Sequence, residues 1–277
     1  MKILVLNCGS SSVKYQLFDM TSETALCSGI VEEVGLAHPS MTHRRCGYDK
    51  LTWNDLKVSN HKDAIQLVLT ALQDGKHGVV KSIAELDAVG HRVVHGGEKF
   101  AHSTLIDKQV LKALYDNIEL APLHNRPNIE GIEAINSLLP DTPQVGVFDT
   151  AFHQTMTPAA FLYALPYEYY EKYGVRRYGF HGTSHRYVAN CAAEYMARPI
   201  EDLKIVTCHL GNGASVAAVL GGKSVDTSMG FTPLEGLPMG TRCGDIDAAI
   251  VPYLMEREKL DRAGIDTLLN KRSGVLG

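Results

Sequence analysis

The sequence predicts an α/β protein of two lobes, each opening on a hairpin whose turn suits a phosphate group. Three observations carry this. Residues 3–19, ILVLNCGSSSVKYQLFD, join an apolar run to an alternating run through a Gly-Ser-Ser-Ser turn, which reads as strand, tight turn and returning strand. Residues 204–230, KIVTCHLGNGASVAAVLGGKSVDTSMG, repeat that plan around a Gly-Asn-Gly-Ala-Ser turn, as expected of a duplicated fold that grips a nucleotide between its lobes. The chain has 277 residues, more than the roughly 250 that one core usually serves. Two domains are therefore expected, residues 1–150 and residues 151–277.

Composition narrows the function classes. Hydrophobic residues make up 45% and charged residues 21%, and 27 basic side chains face 31 acidic ones for a net charge of −4. That balance argues against nucleic acid or a membrane as partner and leaves small phosphorylated ligands open. Cys8, Cys27, Cys46, Cys191, Cys208 and Cys243 are scattered without a CxxC pair, so they read as reduced, mostly buried thiols and not as zinc ligands. The apolar stretch of MKILVLNC ends at Leu6, too short for a signal peptide, and no run approaches the roughly 20 apolar residues of a membrane span. A cytoplasmic protein is expected.

In the first hairpin, Gly9 permits close backbone approach, Ser10, Ser11 and Ser12 offer hydroxyls and N–H donors, and Lys14 adds positive charge. An ordinary polar turn is the plain alternative. Residues 25–60 alternate short strand-like runs with turns, and HKDAIQLVLTALQD places Ala64, Ile65, Val68 and Leu72 on one face of a crossover helix. LDAVGHRVVHGGE is a strand with a basic, glycine-rich end carrying Arg92, His95, Gly96 and Gly97, where ligand sites of α/β sheets lie. An amphipathic helix follows over residues 107–118. APLHNRPNIEGIEAINSLLP then gives a Pro-bounded loop carrying His124 and a helix from about Asn128.

QVGVFDTAFHQT is a buried strand ending in Asp149, a residue type that serves there either as a magnesium or water ligand or as a turn cap. The stretch from Tyr163 to Ala197 supplies a short aromatic helix, a loop with Arg176, Arg177, His181 and Gly182, and a helix that Thr183 or Ser184 would cap. Cations, glycine and a helix start together suit an anion. After the second hairpin, FTPLEGLPMGTRCGDIDAAIVPYLMERE gives a loop with Arg242 and a helix from near Asp245 whose face includes Ile246, Ile250 and Leu254. Much less chain follows this hairpin than follows the first, so the second lobe is expected to be incomplete, cut short at Gly277.

Arg92, His124, Asp149, His181, Asn212 and Arg242 come from separate strand ends and loops, the usual way such a fold assembles one site. Two arginines around a carboxylate suit phosphoryl transfer, which needs positioning and neutralised charge. An ionised carboxylate acceptor would need no general base. A metal hydrolase using His91, His95, His124, His181 and His185 competes, because HxxxH occurs in HRVVH and HGTSH, but no HExxH helix is present. A nucleotide-binding module without catalysis is the other alternative. The arginines argue for chemistry over binding alone.

VLNCGSSSVKYQLFD, GHRVVHGGE, APLHN, VFDTAFHQT, RRYGFHGTSH, CHLGNGAS and DTSMGFTPLEGLPMGTRCGDID, in this order and over nearly the whole chain, resemble the acetate kinases. The resemblance implies the acetate and sugar kinase/Hsp70/actin fold with duplicated ribonuclease H-like lobes. It further implies Mg2+, ATP/ADP, and reversible phosphoryl transfer to acetate giving acetyl phosphate. By matching motif it assigns Asn7 to the metal and phosphates, and Ser10, Ser12 and Lys14 to the first phosphate turn. Arg92 and Arg242 would hold the acetate carboxylate and the transferring group, Asp149 would orient the site or its metal, and His181 would stabilise the transition state with His124 beside it.

His209, Asn212 and Gly213 would form the second phosphate loop, and Val94, Leu123, Phe180 and Pro233 the pocket for the methyl group. Propionate kinases look like the same family but tend to carry Ala at the position of Val94, so Val94 favours acetate. Full-length members look like homodimers. They continue past the SGVLG at which this chain stops, through a glycine-rich nucleotide segment and a late glutamate, so weak nucleotide binding and impaired turnover are expected here.

Overall fold

Alternation in β1 (Lys2–Gly9) sends Leu4, Leu6 and Cys8 inward, each at most 4% exposed, and turns Val5 and Asn7 to the opposite face. β2 (Ser12–Asp19) returns antiparallel, pairing Gly9 with Ser12 and Asn7 with Lys14. β3 (Thr24–Glu32), β4 (Ser40–Arg45) and β5 (Leu51–Trp53) extend the meander. α1 (His61–Leu72), capped by the Asn60 side chain on the Asp63 N–H, carries the chain to β6 (Ala88–Val93), which runs parallel to β1. β7 (Thr104–Leu105), α2 (Lys108–Asp116) and α3 (Pro122–Leu138) lead to β8 (Gln144–Phe148), parallel to β6. The sheet order is β5-β4-β3-β2-β1-β6-β8-β7.

The structure, a computed structural model, describes residues 1–118 and 122–277, and of residues 122–124 the backbone alone. The chain divides into two units, Met1–Phe148 and Asp149–Gly277. In the first, Leu4, Leu6, Val13 and Leu17 of the sheet pack in one core with Ile65, Val68 and Leu72 of α1 and Ala134 and Ile135 of α3. Burial of each large apolar side chain contributes about 1.5–3 kcal/mol. One face of the sheet is thereby committed to the helices, and the other carries Asn7, Lys14 and Arg92.

The second unit begins with the short helices α4 (Pro158–Phe161) and α5 (Tyr167–Tyr173) and the longer α6 (Gly182–Tyr195). β9 (Lys204–Leu210), β10 (Ala214–Leu220) and β11 (Lys223–Thr227) form an antiparallel sheet in the order β11-β10-β9, followed by α7 (Ile250–Arg257) and α8 (Arg262–Lys271). β9 and β10 repeat the β1–β2 hairpin. β1 has β6 on its outer side, whereas among the described residues β9 is an edge strand, with Val206 69% and Leu210 75% exposed. The α/β class expected from the sequence holds, and no helix among the described residues is long and apolar enough to cross a membrane.

Several local expectations are corrected. α3 begins at Pro122 and not near Asn128, with Pro127 inside it. Proline there removes a helical hydrogen bond, and buried asparagines supply others. The Asn125 side chain accepts from the His95 N–H and donates to the His95 carbonyl, while Asn128 accepts from the Val94 N–H and donates to the Cys8 carbonyl. His181, not Thr183 or Ser184, holds the position before α6, because the Ser184 hydroxyl is bonded to His209. α7 starts at Ile250, five residues later than expected. The Asp245 carboxylate accepts from the Gly236 N–H and its own N–H donates back to the Gly236 carbonyl, which ties it to a loop. Of the six free cysteines only Cys8 and Cys27 are buried; Cys46 and Cys208 are exposed.

Asn128→Ala would leave a buried carbonyl and a buried N–H without their partner, each at about 1–3 kcal/mol. Urea denaturation is expected to show a loss of about 2–4 kcal/mol, and a loss under about 0.5 kcal/mol would mean that these bonds do not hold α3 to the sheet.

Candidate active site

Three carbonyls around the first turn are tied back. The Cys8 carbonyl accepts from Asn128 Nδ2 at 2.8 Å, the Gly9 carbonyl lies 2.7 Å from His61 Nε2, and the Ser11 carbonyl accepts from the Val34 N–H at 3.0 Å. Carbonyl oxygens repel anions, so a turn with occupied carbonyls is left with its N–H and hydroxyl groups as the side it offers to phosphate. His61 is itself held by Glu130, 2.8 Å from Nδ1. Ser10 is exposed and Ser12 partly so. Pairing puts Lys14, exposed, across from Asn7, and Arg92 Nη1 donates to Asn7 Oδ1 at 3.4 Å. Lys14, Asn7 and Arg92 thus follow one another across three neighbouring strands. Val94 is 5% exposed, and its N–H is fixed by Asn128. The side chains of His124 and Leu123 lie outside the described residues.

The second turn repeats the device. The Gly213 carbonyl accepts from the Gly211 N–H, and the Asn212 carbonyl accepts from the Gly240 N–H, both at 3.1 Å. A β-carbon at Gly240 would lie 2.3 Å from Asn212 Oδ1, so a side chain there would displace the Asn212 amide. A β-carbon at Gly213 would stand 3.4 Å from Arg242 Nη1 and 3.5 Å from His181 Cε1, so a guanidinium and an imidazole meet the same turn. Arg242 donates to the Pro233 carbonyl at 3.0 Å, and burial lowers its pKa from the ordinary value. Its loop is braced by the end of the described chain: Ser273 and Val275 donate backbone bonds to the carbonyls of Thr241 and Met239.

Histidines form the polar core of this unit. His181 takes the left-handed backbone conformation, φ 58°, and its ring stacks on that of His209 at 3.9 Å. His181 Nδ1 and His185 Nε2 each lie 2.8 Å from the Ser215 hydroxyl, and His153 lies between Ser224 and the Phe180 carbonyl. Asp149 is 2% exposed at the end of β8, and its carbonyl accepts from the Gly182 N–H that opens α6. Phe180 is buried at 1%. Within the second unit the structure therefore gathers Asp149, Phe180, His181, His209, Asn212, Gly213, Pro233 and Arg242 around α6, the second turn and the loop before α7. Asn7, Ser10, Ser12, Lys14, Arg92 and Val94 belong to the first unit.

Two arginines of the expected cationic loop are structural. Arg177 donates to Glu235 and to the carbonyls of Thr227, Ser228 and Met229, and Arg176 stacks on Phe161. Sequence reasoning missed His61, Asn125, Asn128 and Ser215. The signal for the asparagines was two buried-face amides in a helix beside a proline.

The described residues hold no cluster of three or more His, Cys, Asp or Glu able to bind a metal. Comparison with known proteins decides the family, since the model of the Acetokinase family matches residues 2–277. The chain belongs to the acetokinase family. It is 62% identical over 277 residues to an acetate kinase of Clostridioides difficile, covering all of this chain and 70% of that one. The crystal structure of Porphyromonas gingivalis acetate kinase superposes with a TM-score of 0.94 at 51% identity, and that of a propionate kinase from Francisella tularensis with 0.92 at 43%; each match covers this whole chain and 69% of the other. The acetokinases are ATP:acetate phosphotransferases, and membership makes this chain a kinase that uses ATP with a divalent metal.

In this acetokinase chain, burial pushes His91 and His95 of the first unit and His153 and His185 of the second from 6.5 down to about 4. Below pH 6.5 the unfolded chain binds protons that these rings in the folded chain refuse, so stability is full above that pH and is lost as pH falls towards 4. Each ring contributes up to about 1.4 kcal/mol per pH unit. Urea midpoints should fall between pH 7 and pH 5, and a flat profile would contradict neutral buried imidazoles.

Proposed function

We propose that the residues of the two turns, with Arg92, Arg242, Asp149 and His181, carry reversible transfer of the γ-phosphoryl group of ATP to acetate, giving acetyl phosphate and ADP. The observation that carries the reading is the meeting of Arg242 and His181 at Gly213 of the second turn. A carboxylate oxygen of acetate attacks the γ-phosphorus, and the bond to the bridging oxygen breaks with its electron pair leaving on ADP. Acetate is already ionised near pH 7, so no side chain has to remove a proton. The work left to the protein is alignment and charge neutralisation.

Arg92 and Arg242 neutralise the acceptor carboxylate and the transferring group, and His181 donates to an oxygen of that group. His124 is assigned to the same step as His181. Ser10, Ser12 and Lys14 hold one part of the phosphate chain; His209, Asn212 and Gly213 hold another. The divalent metal, Mg2+ in this reading, supplies positive charge to the phosphate oxygens when bound. Hard oxygen donors fit such an ion: Asn7 Oδ1, whose bond from Arg92 is long at 3.4 Å, and the Asp149 carboxylate. Val94, Leu123, Phe180 and Pro233 line the methyl pocket. The reaction is assigned to the cytoplasm, in keeping with six free thiols, and to a homodimer.

Propionate is the second reading, favoured by the likeness to the Francisella tularensis propionate kinase. Val94 opposes it by occupying space that an extra methylene would need.

An acetyl phosphate assay alongside calorimetric titration with Mg2+ and ATP tests the function directly. Arg92→Leu and Arg242→Leu are each expected to lower kcat about 10²- to 10³-fold, and losses under tenfold would remove them from the chemistry. Across an acyl panel acetate is expected to have the highest kcat/KM. Val94→Ala should raise propionate relative to acetate about tenfold, a methylene's worth of discrimination; an unchanged ratio would take Val94 out of the pocket.

A further inference from the structure

The Ser215 hydroxyl lies 2.8 Å from both His181 Nδ1 and His185 Nε2, and the Thr207 hydroxyl lies 2.8 Å from His185 Nδ1. Ser215, His185 and Thr207 are at most 3% exposed, so bulk water does not complete their bonding. A hydroxyl has one proton to give and two lone pairs with which to accept. Among the described residues the Thr207 hydroxyl oxygen bonds to His185 alone, and that of Ser215 to the two histidines alone. Burial pushes His185 down to about 4, so near neutral pH its ring carries one proton.

These constraints fix a direction. An Nδ1–H on His185 would face Thr207 and strand the threonine's own proton without an acceptor, a costly arrangement in a buried site. Thr207 therefore donates to Nδ1, and the His185 proton is on Nε2, where it is given to the Ser215 oxygen. The Ser215 proton then goes to His181 Nδ1. A neutral His181 accepting there holds its proton on Nε2. The ring cannot exchange its two nitrogens freely, because it is stacked on His209, which Ser184 holds through Nδ1 at 2.9 Å.

We propose that Thr207, His185 and Ser215 form a one-directional hydrogen-bond relay that sets His181 in the Nε2–H tautomer, with Ser215 as its positioning residue. The inference rests on the reading of His181 as donor to the transferring phosphoryl group. The relay gives that donor its N–H as a neutral ring, whereas the opposite tautomer would turn a lone pair towards an anion.

The test is histidine-selective 15N NMR of the whole chain near pH 7.5, with His181→Gln used only to assign the resonance. His181 is expected to show a bare Nδ1 and a protonated Nε2. Ser215→Ala should average or reverse that pattern and lower kcat for acetyl phosphate formation about 10- to 100-fold, with KM for acetate within about twofold. Thr207→Val, isosteric and without contact to His181, should shift the His181 nitrogens as well, an effect that packing alone would not transmit. A wild-type His181 protonated on Nδ1, or Thr207→Val leaving it unmoved, would overturn the relay. Acetyl phosphate absent from the wild type with the tautomer pattern intact would overturn the functional reading and leave the relay standing.

Discussion

A loop that holds an anion through its backbone is helped by occupying its own carbonyl oxygens, and several carbonyls of both hairpin turns are occupied. In the first, Asn128, His61 and Val34 occupy the carbonyls of Cys8, Gly9 and Ser11. In the second, Gly240 and Gly211 occupy those of Asn212 and Gly213. The partners differ in kind. The first turn is tied to helices α1 and α3 by the side chains of His61 and Asn128 and to Val34 by main chain, and the second is tied by main chain to itself and to the loop carrying Arg242. Much of the surrounding structure follows: the amides inside α3, the histidine that opens α1 and the glycine at 240 all serve the geometry of a turn.

The second unit keeps two buried imidazoles, His153 and His185, neutral near pH 7. Its buried imidazoles are bonded to hydroxyls and carbonyls, with Ser215, Thr207, Ser224 and the Phe180 carbonyl as partners. Such a site presents fixed dipoles at low dielectric, which act strongly on a developing anion and need not reorganise. Arg242 brings a formal positive charge to the second turn from its own loop.

The two hairpins, the strand ends at Arg92 and Asp149, and the glycine-rich turns were legible in the sequence because each is a local pattern of apolar runs broken by small polar residues. The braces were not. Asn125 and Asn128 contact residues some thirty or more positions away, and in a helical stretch an amide reads as a surface residue. Pro127 pointed to a loop because proline's cost is local and the asparagines' compensation is tertiary. Arg177 shows the converse error: a basic residue beside glycines suggested an anion site, yet Glu235 and three carbonyls take up its donors. Asp245 misled for the same reason, as a helix-capping residue type engaged by a loop.

His181 holds a left-handed backbone at φ 58°, a region that glycine or asparagine enters at less cost than a histidine does. Glycine at 181 would relieve that backbone cost and at the same time remove the imidazole that stacks on His209 and meets the second turn, so at this position the backbone's preference and the proposed chemistry favour different residues.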